Sequence, residues 1–215
     1  MSKNILLFRL FVFLNCVFQI FGQISYDLPA GWFRDGDTQY YDIGVDYATF
    51  YEKAPSGFLK SHPNISSLNS DLHSTLAQGF IPKDYLGKQV RLTCFMKYSN
   101  VLSSIGLLLQ VHSVNGGFDN TLNKNSIVND LSGLLFTGSG DWTKFENVVN
   151  VPEDTSLISF GAILNDEGVV WLDKCNFEIV EPPDESVSFP FPKFEPNVNN
   201  NDFHNFLTYP INLDF

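Results

Sequence analysis

Period-two alternation in several short runs, with no helical period of useful length between them, is the property that most constrains this chain. In KQVRLTCFMKY, residues 88–98, Val90, Leu92, Cys94 and Met96 fall on one face, while Arg91, Thr93, Phe95 and Lys97 fall on the other. IGLLLQVHS repeats the pattern, with Leu107, Leu109 and Val111 inward and Leu108, Gln110 and His112 outward, before NGG at Asn115–Gly117 turns the chain. DWTKFENVVNVP supplies a strand that must stop at Pro152, and SLISFGAILNDEGVVWLDKCNFEIV reads as a hairpin closed around Asn165–Gly168. Short strands separated by turn residues predict an all-β sandwich or barrel.

The last of these strands, VVWLDKCNFEIV, places an aspartate, a lysine and a cysteine in its middle. Strict alternation predicts Trp171, Asp173, Cys175, Phe177 and Ile179 toward the core, with Lys174 and Asn176 toward solvent.

The first 22 residues place Lys3 and Arg9 around a run of Leu, Phe, Val and Ile that ends at Gly22. This is the layout of a signal peptide, and the apolar run is too short and too interrupted to be retained as a membrane span. The expectation is a secreted, extracellular chain without membrane insertion. Its composition changes near Glu181, so residues 23–181 read as one sandwich domain and residues 182–215 as a Pro/Asn-rich tail. Removing Lys3 and Arg9 leaves 11 basic residues against 24 acidic, a net charge of −13. Such a chain repels phosphate backbones, which predicts no nucleic-acid partner. Cys16 leaves with the signal, and the remaining Cys94 and Cys175 fit either one disulfide or two buried thiols. Asn64 in NIS is the one glycosylation sequon, in a polar stretch that reads as a surface loop.

No catalytic constellation stands out. His62, His73, His112 and His204 lack metal-ligand spacing, TGSGD around Ser139 is not a nucleophile elbow, and pairing Asp119 or Asp141 with Glu146 is what abundant acids produce by chance. The chain therefore does not read as an enzyme. A binding module asks only for aromatic faces with amide and carboxylate groups nearby. Trp32, Tyr40, Tyr41, Tyr47 and Tyr51 cluster in the N-terminal segment, and Gln110, His112, Asp119 and Asn120 surround NGGFDN. From these the expected ligand contacts are Trp32, Tyr41, Gln110, His112, Asp119 and Asn120. Trp142 and Trp171 lie within strands and read as core.

The order of landmarks GWF (31–33), YDIGVD (41–46), GFLKS (57–61), DYLGKQVRL (84–92), FDN (118–120), DWTKFENVVNVPEDTSLISFG and GVVWLDKCNFEIV resembles a family of jelly-roll domains of the galactose-binding-like, carbohydrate-binding-module type. Some bacterial members of that family are AraC-type transcription regulators. The resemblance covers about 150 residues and supports a fold better than a chemistry. It implies a jelly-roll β-sandwich that binds carbohydrate or glycoprotein. The alternative is an extracellular scaffold meeting a protein partner through its tail or an exposed face. Two core positions of the family are cysteine here, as a Cys94–Cys175 disulfide between neighbouring strands would require. Relatives with a structural calcium give Asp173 a candidate metal role; otherwise no cofactor is expected. PINLDF at the C-terminus is similar to the opening segment of such domains, and predicts that Ile211, Leu213 and Phe215 dock on the sheet as an added strand.

Overall fold

The computed structural model of the chain describes residues 24–68, 72–113, 136–180 and 207–215. Nine strands are present among them: β1 (Ile24–Ser25), β2 (Trp32–Gly36), β3 (Tyr41–Asp46), β4 (Ser56–Ser61), β5 (His73–Phe80), β6 (Lys88–Ser113), β7 (Phe136–Val151), β8 (Thr155–Asn165) and β9 (Val169–Val180). All pairings are antiparallel, in the order β1-β3-β4-β9-β6-β8-β5-β2 with β7 also on β6. The result is the expected jelly-roll β-sandwich, made by one strongly curled sheet.

The two halves of β6 explain the curl. Residues 88–99 lie between β9 and β7, whereas residues 104–113 pair with β8. The strand passes from one layer to the other through Asn100, whose φ of 53° breaks the extended path. Layer one is thus β1-β3-β4-β9-β6-β7 and layer two is β6-β8-β5-β2. Both halves of β6 obey the predicted alternation: Val90, Leu92, Cys94 and Met96, then Ile105, Leu107 and Leu109, are fully buried between the layers.

Strand β9 departs from strict alternation. Its register against β6 shifts between Asn176↔Thr93 and Asp173↔Phe95, so that Lys174 and Cys175 together face Cys94. This is a β-bulge, with Lys174 in the left-handed region at φ 47°. A bulge reverses the parity of the strand. Before it, Val170 and Leu172 point into the core; after it, Cys175 does. Trp171 therefore belongs to the outer face, not to the core that uninterrupted alternation predicts. The Asp-Lys-Cys triplet is the bulge itself, and Cys175 forms a disulfide with Cys94 across a Cα–Cα distance of 4.1 Å.

The C-terminal residues dock, although not as a regular strand. Leu207 makes a parallel bridge to Phe80, and its carbonyl accepts from Ile81 N at 2.7 Å. Gln78, fully buried, holds Ile211 from both sides: its Nε2 donates to the Ile211 carbonyl and its Oε1 accepts from Ile211 N, each at 2.8 Å. Pairing of β4 with β9 ends at Gly57↔Leu172, and beyond that point Leu213 takes β4's place, its carbonyl accepting from Cys175 N at 2.7 Å. Phe215 closes the gap between the layers, 4.6 Å from the Trp32 ring; a Cβ on Gly57 would lie 2.6 Å from it. The signal-peptide expectation for residues 1–22 lies outside the described residues, as does most of the tail.

Candidate ligand-binding face

The outer face of layer one collects aromatic rings because alternation on β6 and the bulge on β9 agree there. Phe95 lies on the polar side of β6, opposite Asp173, and Lys97 lies opposite Trp171. The loop between β3 and β4 folds over this face. Asp46 starts it: Oδ1 accepts from Ala48 N at 2.8 Å and Thr49 N at 3.2 Å, and Oδ2 accepts from Trp171 Nε1 at 2.9 Å. Asp173 ends it, Oδ2 accepting from Tyr51 N at 2.8 Å. Tyr51 is thereby laid flat on Phe95, with ring centroids 3.8 Å apart at 14°, and its edge meets Trp142 at 5.9 Å. Tyr51, Phe95, Trp142 and Trp171 are all half-buried. Tyr26 extends the row at 6.4 Å from buried Phe58, the cross-strand partner of Trp171.

Polar groups interleave with the rings. Lys97 Nζ donates to Asp141 Oδ1 at 2.7 Å, and Thr93 stands opposite Asn176 on the same face. Hydrogen bonds from Lys97 and from Trp142 N hold the Asp141 carboxyl below its ordinary range, and Lys144 with Arg91 does the same for Glu146. Both carboxylates are kept ionised, which suits a hydrogen-bond acceptor and not a general acid.

The six contact residues expected from sequence do not form one site. Trp32 is 6 % exposed: its ring packs on Phe160 at 5.4 Å and Phe215 at 4.6 Å, and its Nε1 donates to the Asn212 carbonyl at 3.0 Å. Tyr41 is buried too, its hydroxyl donating toward the Leu72 and Asp166 carbonyls at 3.0 and 3.2 Å, and burial drives its pKa strongly upward. Both rings have their faces covered, so neither can receive a ligand. Gln110 and His112 lie on the outer side of layer two, opposite Ser159 and Leu157, where burial pushes the His112 pKa down. Asp119 and Asn120 lie outside the described residues. Asn64 is exposed at the start of a single 3₁₀ turn.

Asp173 does not offer a calcium site. It is 1 % exposed, and its two oxygens accept the N–H groups of Tyr51 and Lys174, each at 2.8 Å. Both oxygens are thus engaged within the protein, and the carboxyl is closed to solvent. Among the described residues no three His, Cys, Asp or Glu side chains come together as a metal set.

Sequence reasoning missed Trp142 and Trp171 as surface rings. Phe95 was visible by alternation, sitting with Arg91, Thr93 and Lys97. The signal for Trp171 was the bulge, which no residue type announces.

No family model matches the chain. It is 31 % identical over 188 residues, 86 % of its length, to an uncharacterized HTH-type transcriptional regulator, YbfP, of Bacillus subtilis strain 168. The chain spans 56 % of that relative's length. Among solved structures, the CBM22-1 xylan-binding domain from Paenibacillus barcinonensis Xyn10C superposes with a TM-score of 0.51 at 12 % identity, covering 75 % of this chain and 94 % of the domain. A xylan-binding domain from CBM 22 gives 0.50 at 11 % identity over 74 % and 94 %. The enzymatically active domain of tailspike protein 4 from bacteriophage CBA120 also gives 0.50, at 12 % identity over 70 % of this chain and 20 % of that one. The chain is a jelly-roll of the kind found in carbohydrate-binding modules, and its relative is a regulator. The relative overturns the expectation that nucleic acid is excluded. Net charge describes how this polypeptide repels phosphate on average; it does not fix the processes in which a module of its lineage takes part.

Proposed function

We propose that this chain is a secreted, non-catalytic carbohydrate-binding module whose ligand lies on the outer face of layer one, against Tyr51, Phe95, Trp142 and Trp171. The observation that carries the reading is the half-exposed row of rings beside ionised Asp141, Lys97, Thr93 and Asn176. Sugars present apolar C–H faces and a hydroxyl rim, and such a surface meets both. A protein-binding scaffold would instead present one broad apolar patch, whereas here charged and aromatic groups alternate. The Cys94–Cys175 disulfide agrees with an oxidising, extracellular location. Sharing a fold with xylan-binding domains is compatible with the reading but does not choose the sugar. A ligand-binding module can equally be one part of a longer regulator, which accommodates the Bacillus relative.

The test is a glycan array probed with residues 23–215 and with Trp142→Ala, Trp171→Ala and Trp32→Ala. Loss of one stacking ring is worth about 0.5–1.5 kcal/mol, or roughly 2–13-fold in affinity. Trp142→Ala and Trp171→Ala should each show that loss with little change in melting temperature, while Trp32→Ala, which opens the core, should lower the melting temperature more than either. A blank array with well-folded protein would assign the face to a protein partner instead.

A further inference from the structure

The bulge of β9 touches three parts of the molecule at once. Asp173 accepts from Tyr51 N, and Lys174 Nζ reaches Glu52 in the same loop, 5.7 Å from the Tyr51 ring. Cys175 carries the disulfide, and its N–H donates to the Leu213 carbonyl of the docked C-terminal segment. The ring stack and the C-terminal segment therefore hang on three consecutive residues. We propose that residues 207–215 are a positioning element for the ligand face: docked, the segment fixes the bulge that lays Tyr51 on Phe95; released, it lets Tyr51 leave the stack and weakens the face. The inference rests on the ligand-face reading and adds its regulation.

Two observations support it. First, the segment is held by discrete anchors, not by a continuous ladder. Leu207 bridges to Phe80, Gln78 brackets Ile211, Asn212 accepts from Trp32 Nε1 and donates Nδ2 to the Ala30 carbonyl at 2.8 Å, Leu213 meets Cys175, and Phe215 stacks on Trp32. Second, the points that the segment and β9 reach are neighbours: the Phe177 ring, three residues before the end of β9, lies 5.4 Å from the Phe80 ring beside which Leu207 bridges. With 26 residues of sequence between Val180 and Leu207, undocking of the segment requires neither layer to open.

The consequence at the bulge is local. When the segment leaves, Cys175 N loses its acceptor and the edge of β9 beyond β4 is bare. Asp214, whose charge acts on Asp173 and Lys174, leaves with it. The ladder with β6 and the disulfide still set the register of the bulge, but its outer edge is no longer braced, and the bond from Tyr51 N to Asp173 loosens with it. Coupling of this kind is reciprocal: a ligand that holds Tyr51 on Phe95 tightens the segment by the same factor.

The experiment uses the full mature chain with 5-fluorotryptophan at Trp32, Trp142 and Trp171, the three ¹⁹F resonances being assigned by single Trp→Phe variants. Trp32 reports docking, because it touches Phe215 and Asn212; Trp142 reports the stack. The graded series is Asn212→Ala, Phe215→Leu, and Leu207→Ala with Phe215→Ala. Across it the Trp142 resonance should move in proportion to that of Trp32, toward its position in Asp173→Ala, and a synthetic peptide of residues 207–215 should reverse both. Affinity for the sugar found on the array should fall about 5–10-fold in the double variant and recover with peptide. A Trp142 resonance that stays fixed while Trp32 moves overturns the coupling, and the mild Asn212→Ala member keeps that comparison available if the double variant unfolds. Coupled movement of both resonances without sugar binding in any form would leave the coupling standing and remove the ligand reading.

Discussion

Asp173 shows how one buried carboxylate can organise a surface. Burial raises its pKa above 3.8; the N–H groups of Tyr51 and Lys174 pull it back, and the Asp214 and Glu52 carboxylates push it up again, leaving it raised. A carboxyl whose folded pKa is raised binds a proton more readily folded than unfolded, so between its folded value and 3.8 the native state gains stability as pH falls. His112 acts in the other sense: its pKa is lowered from 6.5 by burial, so its contribution weakens as pH falls through the range just below 6.5. Comparing wild type with Asp173→Asn cancels His112. The melting temperature of wild type minus that of Asp173→Asn should become more positive as pH is lowered toward 3.8, and a difference that is flat or becomes more negative would show that Asp173 does not titrate as its surroundings dictate. Nothing in the letters around Asp173 shows this role. Its partner Tyr51 is 122 residues away, and its burial follows from a loop folding over it. The same is true of the tryptophans: residue type predicted Trp171 inside and offered Trp32 as a contact, and context reversed both.

At the scale of the element, the alternation of β6 and the hairpin between β8 and β9 were legible because each residue's face follows from its neighbours. The bulge was not, because one extra residue leaves the composition unchanged while reversing every side chain beyond it. Its signature is Lys174 at φ 47°. For a residue with a Cβ the left-handed region costs about 1–2 kcal/mol, most for a β-branched side chain and nothing comparable for glycine. The exposed Lys174–Glu52 pair offsets little of this in water. Denaturant midpoints should therefore place Lys174→Val below Lys174→Gly by about 1–2 kcal/mol, with wild type between them or level with glycine. Equal stability of the two variants would mean that the bulge relaxes to extended backbone at no cost, which would also deprive the C-terminal segment of a conformation to enforce. The way that segment is held has no counterpart in its alternation: Gln78 stands in for a strand partner by offering its amide to Ile211, and no periodicity encodes a side chain doing the work of a backbone.

The described residues form one curled sheet whose layers share β6, so the integrity of the molecule depends on contacts between residues distant in sequence. The disulfide is the strongest of these: Cys94 and Cys175 are 81 residues apart, and the loop they close contains β7, β8 and the passage of β6 between layers. Sequence left bridge and free thiols open because pairing needs Cys175 opposite Cys94, and only the bulge, by setting Lys174 and Cys175 together against Cys94, brings it there. Chain-entropy arguments give a loop of this size a stabilisation of roughly 4–5 kcal/mol, and measured native disulfides fall at about 2–5 kcal/mol. Replacing both residues, Cys94→Ala with Cys175→Ala, removes the constraint from the unfolded chain while leaving small apolar groups in the core. The midpoint of urea unfolding should fall by an amount worth about 2–5 kcal/mol, with a slope equal to or greater than that of wild type because the unfolded chain is no longer pinned. An unchanged midpoint would mean that β6 and β9 hold their register without the bond, making the bulge, and not the disulfide, the feature that specifies how the two strands meet.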